Sequence, residues 1–566
     1  MARRINIEKN WIDRLVGYVA PVSGARRLQA RAAMALTGGY TGGSRARRSL
    51  STFTPYGDSA DAAILPDLAV LRARSRDLCR NSPIAGGAVT TVVTSVVGPG
   101  LSVKSSIYRE FLGLGEAEAE AWETEAERLW SVWSESPECD ATRTQNFAGL
   151  QSLVFRSVLE SGDVFTLLPY IERSGSPFGL KLQIIEGDRV TNKAGVADSP
   201  KLAGGVALDE HGAPVEYHIQ RSHPGDLRAT SREWDIVAAF GATTGRRNVL
   251  HHYDRRRPGQ TRGVPYLAPV IESLKQISDY TEAELMAATV AGMFTVFIKN
   301  ESGDGNLGPM QPTAESGGSA ADDDYKLGNG AMVGLASGES IETANPGRPN
   351  AAFDPFVTAI LRQIGAALEL PYELLVKQFM ASYSASRAAL LEAWRFFKMR
   401  RRWMVDSFNQ PVYEAFLYEM VARGALAAPG FLDDEMVRHA YSSALWTGRP
   451  MGHIQPLQEA NAIQARIDAG ISNREIETAE YNGNDWEDVH QQAAREQTMR
   501  DEAGLSAAAV SPFNRPPAPP PEKPDDDEPP GDPPDDDEAD DAKKKKQEEE
   551  TGEAQKGRAR RVSTPT

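Results

Sequence analysis

The residues best equipped for chemistry in this 566-residue chain sit in one short run, VLHHYDRRRPGQTRG, Val249 to Gly263. His251 and His252 beside Asp254 suggest a metal site. The run has the texture of a strand, however, and neighbours in a strand point to opposite faces, so the two imidazoles cannot share a ligand set. The cluster Arg255, Arg256 and Arg257 that follows fits an exposed turn or an inter-subunit ion-pairing site. Cys79 and Cys139 are the two cysteines, with no CxxC spacing, and they read as reduced, partly buried thiols in a reducing cytosol. No GxxxxGK[ST] is present to cradle nucleotide phosphates, and no HExxH, GxSxG or strand-to-helix GxGxxG occurs. Acidic residues are plentiful, but no pair is marked by context as catalytic. These observations favour a structural protein over an enzyme, with no cofactor and no metal expected.

Composition sets further bounds. The formal net charge is -16, with 41% hydrophobic and 25% charged residues, ordinary for a soluble chain long enough for several domains. An acidic chain is not a general phosphate-neutralising surface, so any nucleic-acid contact is expected to be local or to gain from repulsion. No apolar run approaches the ~18 residues of a membrane span, so no membrane insertion is expected. The first residues lack the apolar stretch of a signal peptide.

The elements that would position these residues are mostly helical, an α+β chain. Residues 1–57 form a basic arm, rich in Arg, with a short amphipathic helix at Asn10–Val19. Structured sequence begins near Asp58. Helices are expected at Asp67–Arg80, restarting at Ser82-Pro83, at Glu116–Glu135 and at Phe147–Ser161. The Trp122, Leu129, Trp130 and Trp133 stripe is assigned to the core. Short strands follow at Val164–Tyr170, Leu180–Ile185, Gly204–Leu208, Val215–Ile219 and Asp235–Phe240, with a hairpin turn at Asp209–Gly212. Gly263–Phe294 carries Leu267, Val270, Ile271, Leu274, Ile277, Leu285 and Ala288 at the i, i+3, i+4 spacing of one helix face. Thr295–Lys299 is strand-like, and Ala331–Leu335 with Ser340–Thr343 reads as a second small strand pair. A returning helix runs from Ala351 to Leu368, then Leu370–Tyr383 is irregular. A long helix capped by Ser384 or Ser386 should kink at Pro411 and end at Gly424, and Lys398, Arg400, Arg401 and Arg402 give it a basic patch. Ser472-Asn473-Arg474-Glu475 has capping-box spacing, and Asp485 is placed to cap the last helix. From Pro516 the chain is Pro-rich and charged in blocks, the composition of a disordered tail.

Several of these blocks together resemble one family. DLCRNSPIAGGAVTTVVTSVVGPGL (Asp77–Leu101), FAGLQSLVFRSVLESGDVF (Phe147–Phe165), HHYDRRRPGQTRGVPYLAPVIESLKQISDYTEAELMAA, LPYELLVKQFMASYSASRAALLEAWRFF and Gly452–Val489 are similar, in order, to bacteriophage portal proteins of the lambda type. Gln455, Pro456 and Gln458 stand where relatives commonly carry Asp-Pro with a following Lys. The likeness spans about residues 58–495.

The resemblance implies a ring, usually of twelve copies, at one capsid vertex of the virion, assembled in the bacterial host cytoplasm. Double-stranded DNA would pass through its channel during packaging and ejection. Its implied partners are further copies of itself, the terminase large subunit, the major capsid and scaffold proteins and a head–tail adaptor. The family's parts map as an α+β wing (58–262), a two-helix stem (263–294 and 351–369), a small β-containing clip (295–350), a tunnel loop (370–383), a long kinked wing helix (384–428) and a helical crown (429–500), before the 501–566 tail. Lys377, Gln378, Met380 and Tyr383 would be the DNA-facing loop residues. Lys275, Asp279 and Glu282 would line the channel wall, and Arg255, Arg256 and Arg257 would sit at the wing–stem junction. The competing readings are a packaging enzyme, such as a terminase-like ATPase with nuclease, and another capsid or tail component. The missing P-loop opposes the first, and the long helix pair with a β excursion opposes the second.

Overall fold

A computed structural model describes residues 11–36, 41–43, 47–228, 232–292, 296–300, 339–343, 352–379, 382–448, 450, 456–482 and 486–504. The chain divides into Met1–Glu459 with Ile463–Val489, and a second unit of Ala460–Ala462 with His490–Thr566. In the second unit the described residues are 460–462 and 490–504, both helical in part.

Chain order shows how local sequence sets each element. Helices α1 (Trp11–Val19) and α2 (Pro21–Leu36) form the start. Helix α3 (Ala60–Asn81) is capped by Ser59, whose hydroxyl accepts from Ala62 N. It begins seven residues before the expected Asp67, because its first turns are alanine-rich and capped. Ser82 caps α4 (Pro83–Val96), as the Ser-Pro signal indicated. Strand β1 (Ser102–Ser105), the short α5 (Arg109–Leu112), α6 (Glu116–Ser134) and α7 (Phe147–Ser161) follow. Trp122, Trp130 and Trp133 of α6 are buried, and Trp130 packs edge-on against Phe147, Tyr413 and Phe416.

Strands β2 (Asp163–Leu167), β3 (Gln183–Glu186), β4 (Leu202–Ala203), β5 (Val206–Leu208), β6 (Pro214–Gln220), β7 (Trp234–Ala238) and β8 (Val249–Tyr253) build two antiparallel sheets. One has the order β3-β2-β8 and the other the meander β4-β5-β6-β7. Phe165, Ile185, Tyr217, Ile219 and Val249 make the core between them. The β5–β6 turn is held by Asp209, whose carboxylate accepts from His211 N and Ala213 N.

Helix α8 spans Ile271–Gly292, preceded by a 3-10 turn at Ala268–Val270. The helix therefore starts several residues after the expected Gly263. Gly263 instead approaches the backbone so closely that a Cβ there would sit 2.0 Å from Gly162 O. Leu267, Val270, Leu274 and Ile277 are buried, but Leu285 on the same expected face is 69% exposed. Strands β9 (Val296–Asn300) and β10 (Glu339–Thr343) pair antiparallel with each other. The strand expected at Ser340–Thr343 thus pairs with Val296–Asn300, and Ala331–Leu335 lies outside the described residues. Helix α9 (Phe353–Ala367) returns, with Phe353 stacked on Tyr280 at 5.5 Å.

The short α10 (Tyr372–Leu375) precedes α11 (Tyr383–Met404). Helix α11 begins after Ser382, ahead of the expected caps Ser384 and Ser386, so Tyr383 belongs to the helix and not to the loop. A π-turn at Val405–Asn409 joins it to α12 (Gln410–Ala422). Pro411 lacks an N–H and cannot continue the α-helical ladder, which accounts for the irregularity expected there. Gly424 adopts φ +72 and ends the run. Helix α13 (Glu435–Ser442) and β11 (Ala444–Thr447), which pairs with β1, lead to α14 (Pro456–Asp468), α15 (Arg474–Tyr481) and α16 (Trp486–Glu502). Asn473, not Ser472, caps α15, its side chain accepting from Ile476 N. Asp485 and the tail from residue 505 lie outside the described residues. No described helix is long and apolar enough to cross a membrane.

Candidate functional site at the root of the helix pair

The entry to α8 is organised by one buried carboxylate. Asp163, the first residue of β2, accepts from Arg72 Nη2 at 2.5 Å, Arg262 Nε at 2.6 Å, Gly263 N at 3.2 Å and His251 Nε2 at 3.4 Å. Arg262 also donates to Val190 O at 2.7 Å and Gly187 O at 2.6 Å, and to Gly204 O. Arg72 Nε donates to Ser161 O at 2.9 Å. One acid therefore ties α3, the end of α7, both sheets and the segment entering α8. Burial alone pushes the Asp163 carboxyl up, but Arg262 and Arg72, with His251, outweigh it and hold it well below the usual carboxylate range.

The two histidines face opposite ways, as strand geometry requires. His251 stacks on Phe165 at 4.1 Å, while His252 bonds Thr166 Oγ1 at 2.9 Å and lies edge-on to Phe408. Burial lowers both, and pushes His252 down to about 3. No cluster of His, Cys, Asp or Glu among the described residues has the geometry to hold a metal.

Arg255, Arg256 and Arg257 form an exposed turn. Arg256 pairs with Asp254 at 3.2 Å, and Arg257 Nη2 donates to Asp58 O at 2.9 Å. The α11 cations are likewise engaged within the chain. Lys398 pairs with Glu480 at 2.9 Å, Arg400 with Asp254 at 3.1 Å and Arg402 with Asp406 at 2.9 Å, and Arg401 Nε donates to Val96 O at 3.0 Å. That helix carries an internal bracing set and not a free basic patch.

Lys275, Asp279 and Glu282 lie exposed on one face of α8, and Lys275 pairs with Asp279. The loop after α9 is anchored at its base. Tyr266 Oη donates to Leu368 O, Leu370 N donates to Gly365 O at 2.9 Å, and Leu368, Leu370 and Leu375 are buried. Its far end is exposed at Lys377, Gln378 and Phe379, and Lys377 holds φ +56. Among the described residues Lys377 forms no ion pair. Met380 and the Tyr383 side chain lie outside the described part.

The Tyr266–Leu368 bond thus joins the segment entering α8 to the base of the loop after α9. Sequence reading missed the clamp itself, because Arg72, Asp163 and Arg262 stand about a hundred positions apart. The available signal was an acid opening the apolar strand DVFTL.

What the fold and its site define is an α+β subunit built around a helix pair with an exposed loop at its base. The chain belongs to the lambda family of phage portal proteins: the model described as "Phage portal protein, lambda family" matches residues 46–401. Portal protein B of Escherichia phage lambda is 26% identical over 492 residues, 83% of this chain and 91% of that protein. The portal protein of Escherichia phage N15 is 25% identical, covering 83% of this chain and 92% of its own length. Among solved structures, the neck of a native GTA particle is similar at TM-score 0.40 and 14% identity, over 73% of this chain and 92% of that one.

Proposed function

We propose that this chain assembles into a closed ring, of twelve copies by the family's habit, at one capsid vertex of the virion. Double-stranded DNA is driven through the ring by the terminase motor and later ejected, and the same ring is the attachment platform for the head–tail adaptor. Major capsid and scaffold proteins surround it during assembly in the bacterial host cytoplasm. The chain is read as structural, with the ATPase supplied by its partner.

The observation that carries the ring is the apolar face of α8. It is buried as far as Ile277 and then continues to Leu285, which is exposed, with Phe356 of α9 also exposed. Such a stripe calls for another copy of the chain, and a head-to-tail interface repeated by rotation closes a ring. The Glu272, Lys275, Asp279 and Glu282 face of α8 then lines the channel. Net negative charge, multiplied by the ring, repels phosphates and prevents the tight binding that would stall passage. Lys377 and Gln378 make brief phosphate contacts from the exposed loop.

Native mass measurement and particle imaging of the purified chain test this. A closed ring with an open axial channel supports it, and a compact dimer with a deep cleft refutes it. Lys377→Ala should change packaging yield or rate while rings still assemble. Unchanged packaging removes the loop's assigned role.

A further inference from the structure

Among the described residues, two apolar faces of opposite charge are exposed. The first belongs to the N-terminal hairpin. Helices α1 and α2 cross at Gly17 and Gly24, where a Cβ on Gly24 would come within 2.6 Å of Gly17 Cα. Contact made through glycine backbone leaves the large side chains unused. Trp11, Leu15, Tyr18 and Val22 are all exposed, Tyr18 at 91%. Arg26 and Arg27 of α2 are exposed too, on a stretch that is basic overall.

The second face is made by α5 and α13. The segment leading into α5 is fastened to the end of α13 by Tyr108 N donating to Ala440 O at 3.1 Å and Ser106 N to Ser443 O at 3.0 Å. Tyr108 stacks on His439 at 5.8 Å. Tyr108, Phe111 and Met436 are 52%, 58% and 64% exposed. Glu110, Asp433, Asp434 and Glu435 rim this patch, all exposed. The nearby cations are turned away from the rim. Arg109 pairs with Glu116 at 3.3 Å, and Arg438 donates to the carbonyls of Phe431 and Leu432.

We infer that the basic, aromatic face of the α1–α2 hairpin docks on the acidic, aromatic α5–α13 patch of a second copy. The inference rests on the ring reading and names a second contact within it. Both faces are open in one chain, so the hairpin is not seated on its own patch. Residues 37–59 link the hairpin to α3, about 23 residues that span up to ~75 Å when extended, enough to reach a neighbour. Charge complementarity selects the partner and steers its approach, and the aromatic pair supplies the buried area.

Two full-length chains are mixed, one carrying Tyr18→Cys and the other Met436→Cys, and treated with a short bis-maleimide. The resident thiols are buried or half-buried, with burial pushing both up to about 12, and the unsubstituted chain serves as control. A covalent dimer that forms in the mixture, and in neither chain alone, is the expected result. Its yield should fall at least threefold in ~0.5 M salt, which shortens the reach of exposed charges below ~5 Å. Glu110→Lys with Glu435→Lys in the Met436→Cys chain should lower the yield similarly, and Arg26→Glu with Arg27→Glu in the other chain should restore it. Absence of the covalent dimer overturns the inference, as does a link confined to single chains carrying both cysteines. Native mass on the same samples separates the two readings: rings without the cross-link sink the docking alone, and monomers sink both.

Discussion

Replacing Asp163 by Asn removes one charge and almost no volume, and isolates what the carboxylate does at the α8 entry. Asp163 is fully buried between Arg72 and Arg262, which are 4% and 2% exposed. Taking away one member of a buried ionic set leaves the other charges uncompensated, at a cost of about 3–5 kcal/mol. If ~450 residues unfold together, the unfolding entropy is roughly 0.95 kcal/mol/K, so the melting point should drop by about 3–5 °C. Calorimetry gives the drop, and amide exchange places it: protection should fall first at Gly263–Val270 and in β2. The pH dependence has a definite sign. The folded carboxyl titrates well below its unfolded value near 3.9, so its contribution is complete above that value and is lost as pH falls through the folded one. The gap between wild type and Asp163→Asn should therefore stay constant from about pH 8 to 6.5 and close only below about pH 4. A variant that melts within 1 °C of wild type would refute the reasoning, and so would a gap that opens or closes between pH 6.5 and 8.

Gly187→Ala should act on the same clamp, because a Cβ there would lie 2.1 Å from Asp163 Oδ1 and 2.9 Å from Arg72 Nη2. A loss of about 1–3 kcal/mol is expected, less than additive with Asp163→Asn in calorimetry of the double variant. His252 is held near 3 when folded and titrates near 6.5 when unfolded, so the unfolded chain binds the extra proton between those values. Stability should fall as pH drops below about 6.5, by up to ~1.4 kcal/mol per unit from this residue, and His252→Gln should flatten that part of the melting-point profile. Leu285→Ser, at a 69% exposed position, should change the melting of the isolated chain by less than ~0.5 kcal/mol while cutting the ring population seen in native mass spectra.

What the residues disclosed and what they hid follow from range. Caps act over three or four positions, so Ser82 and the spacing around Asn473 marked α4 and α15 to within a residue, and Phe147–Ser161 matched its helix end to end. The tryptophan stripe was equally local, and its burial followed from helical spacing. The start of α8 was misplaced because Pro265 suits a first helical turn, whereas tertiary contact decided the matter. Gly263 N is bound to Asp163, and Tyr266 N donates to Leu159 O at 2.9 Å, which holds the segment out of the helix until the turn at Tyr266-Leu267. No spacing rule reaches from Arg72 to Arg262. The α11 cations show the converse. Their types suggested an open basic surface, but their partners, Asp254 and Glu480 among them, lie far along the chain.

The clamp and the loop are two ends of one mechanical connection. Tyr266 stands between Gly263, which donates to Asp163, and the start of α8, and its hydroxyl holds Leu368 at the base of the exposed loop. Gly365 lets Leu370 approach so closely that a Cβ would meet Leu370 O at 2.5 Å, which fixes the loop base against α9. Arg400 reaches Asp254 at the foot of β8, and its guanidinium lies 5.3 Å from the Phe396 ring, so α11 is braced to the same frame. The loop base is thus tied to the root of the helix pair, while Lys377, Gln378 and Phe379 are exposed at its far end. Charge is buried deep in the core at Asp163 and left exposed at Lys377, which forms no ion pair among the described residues.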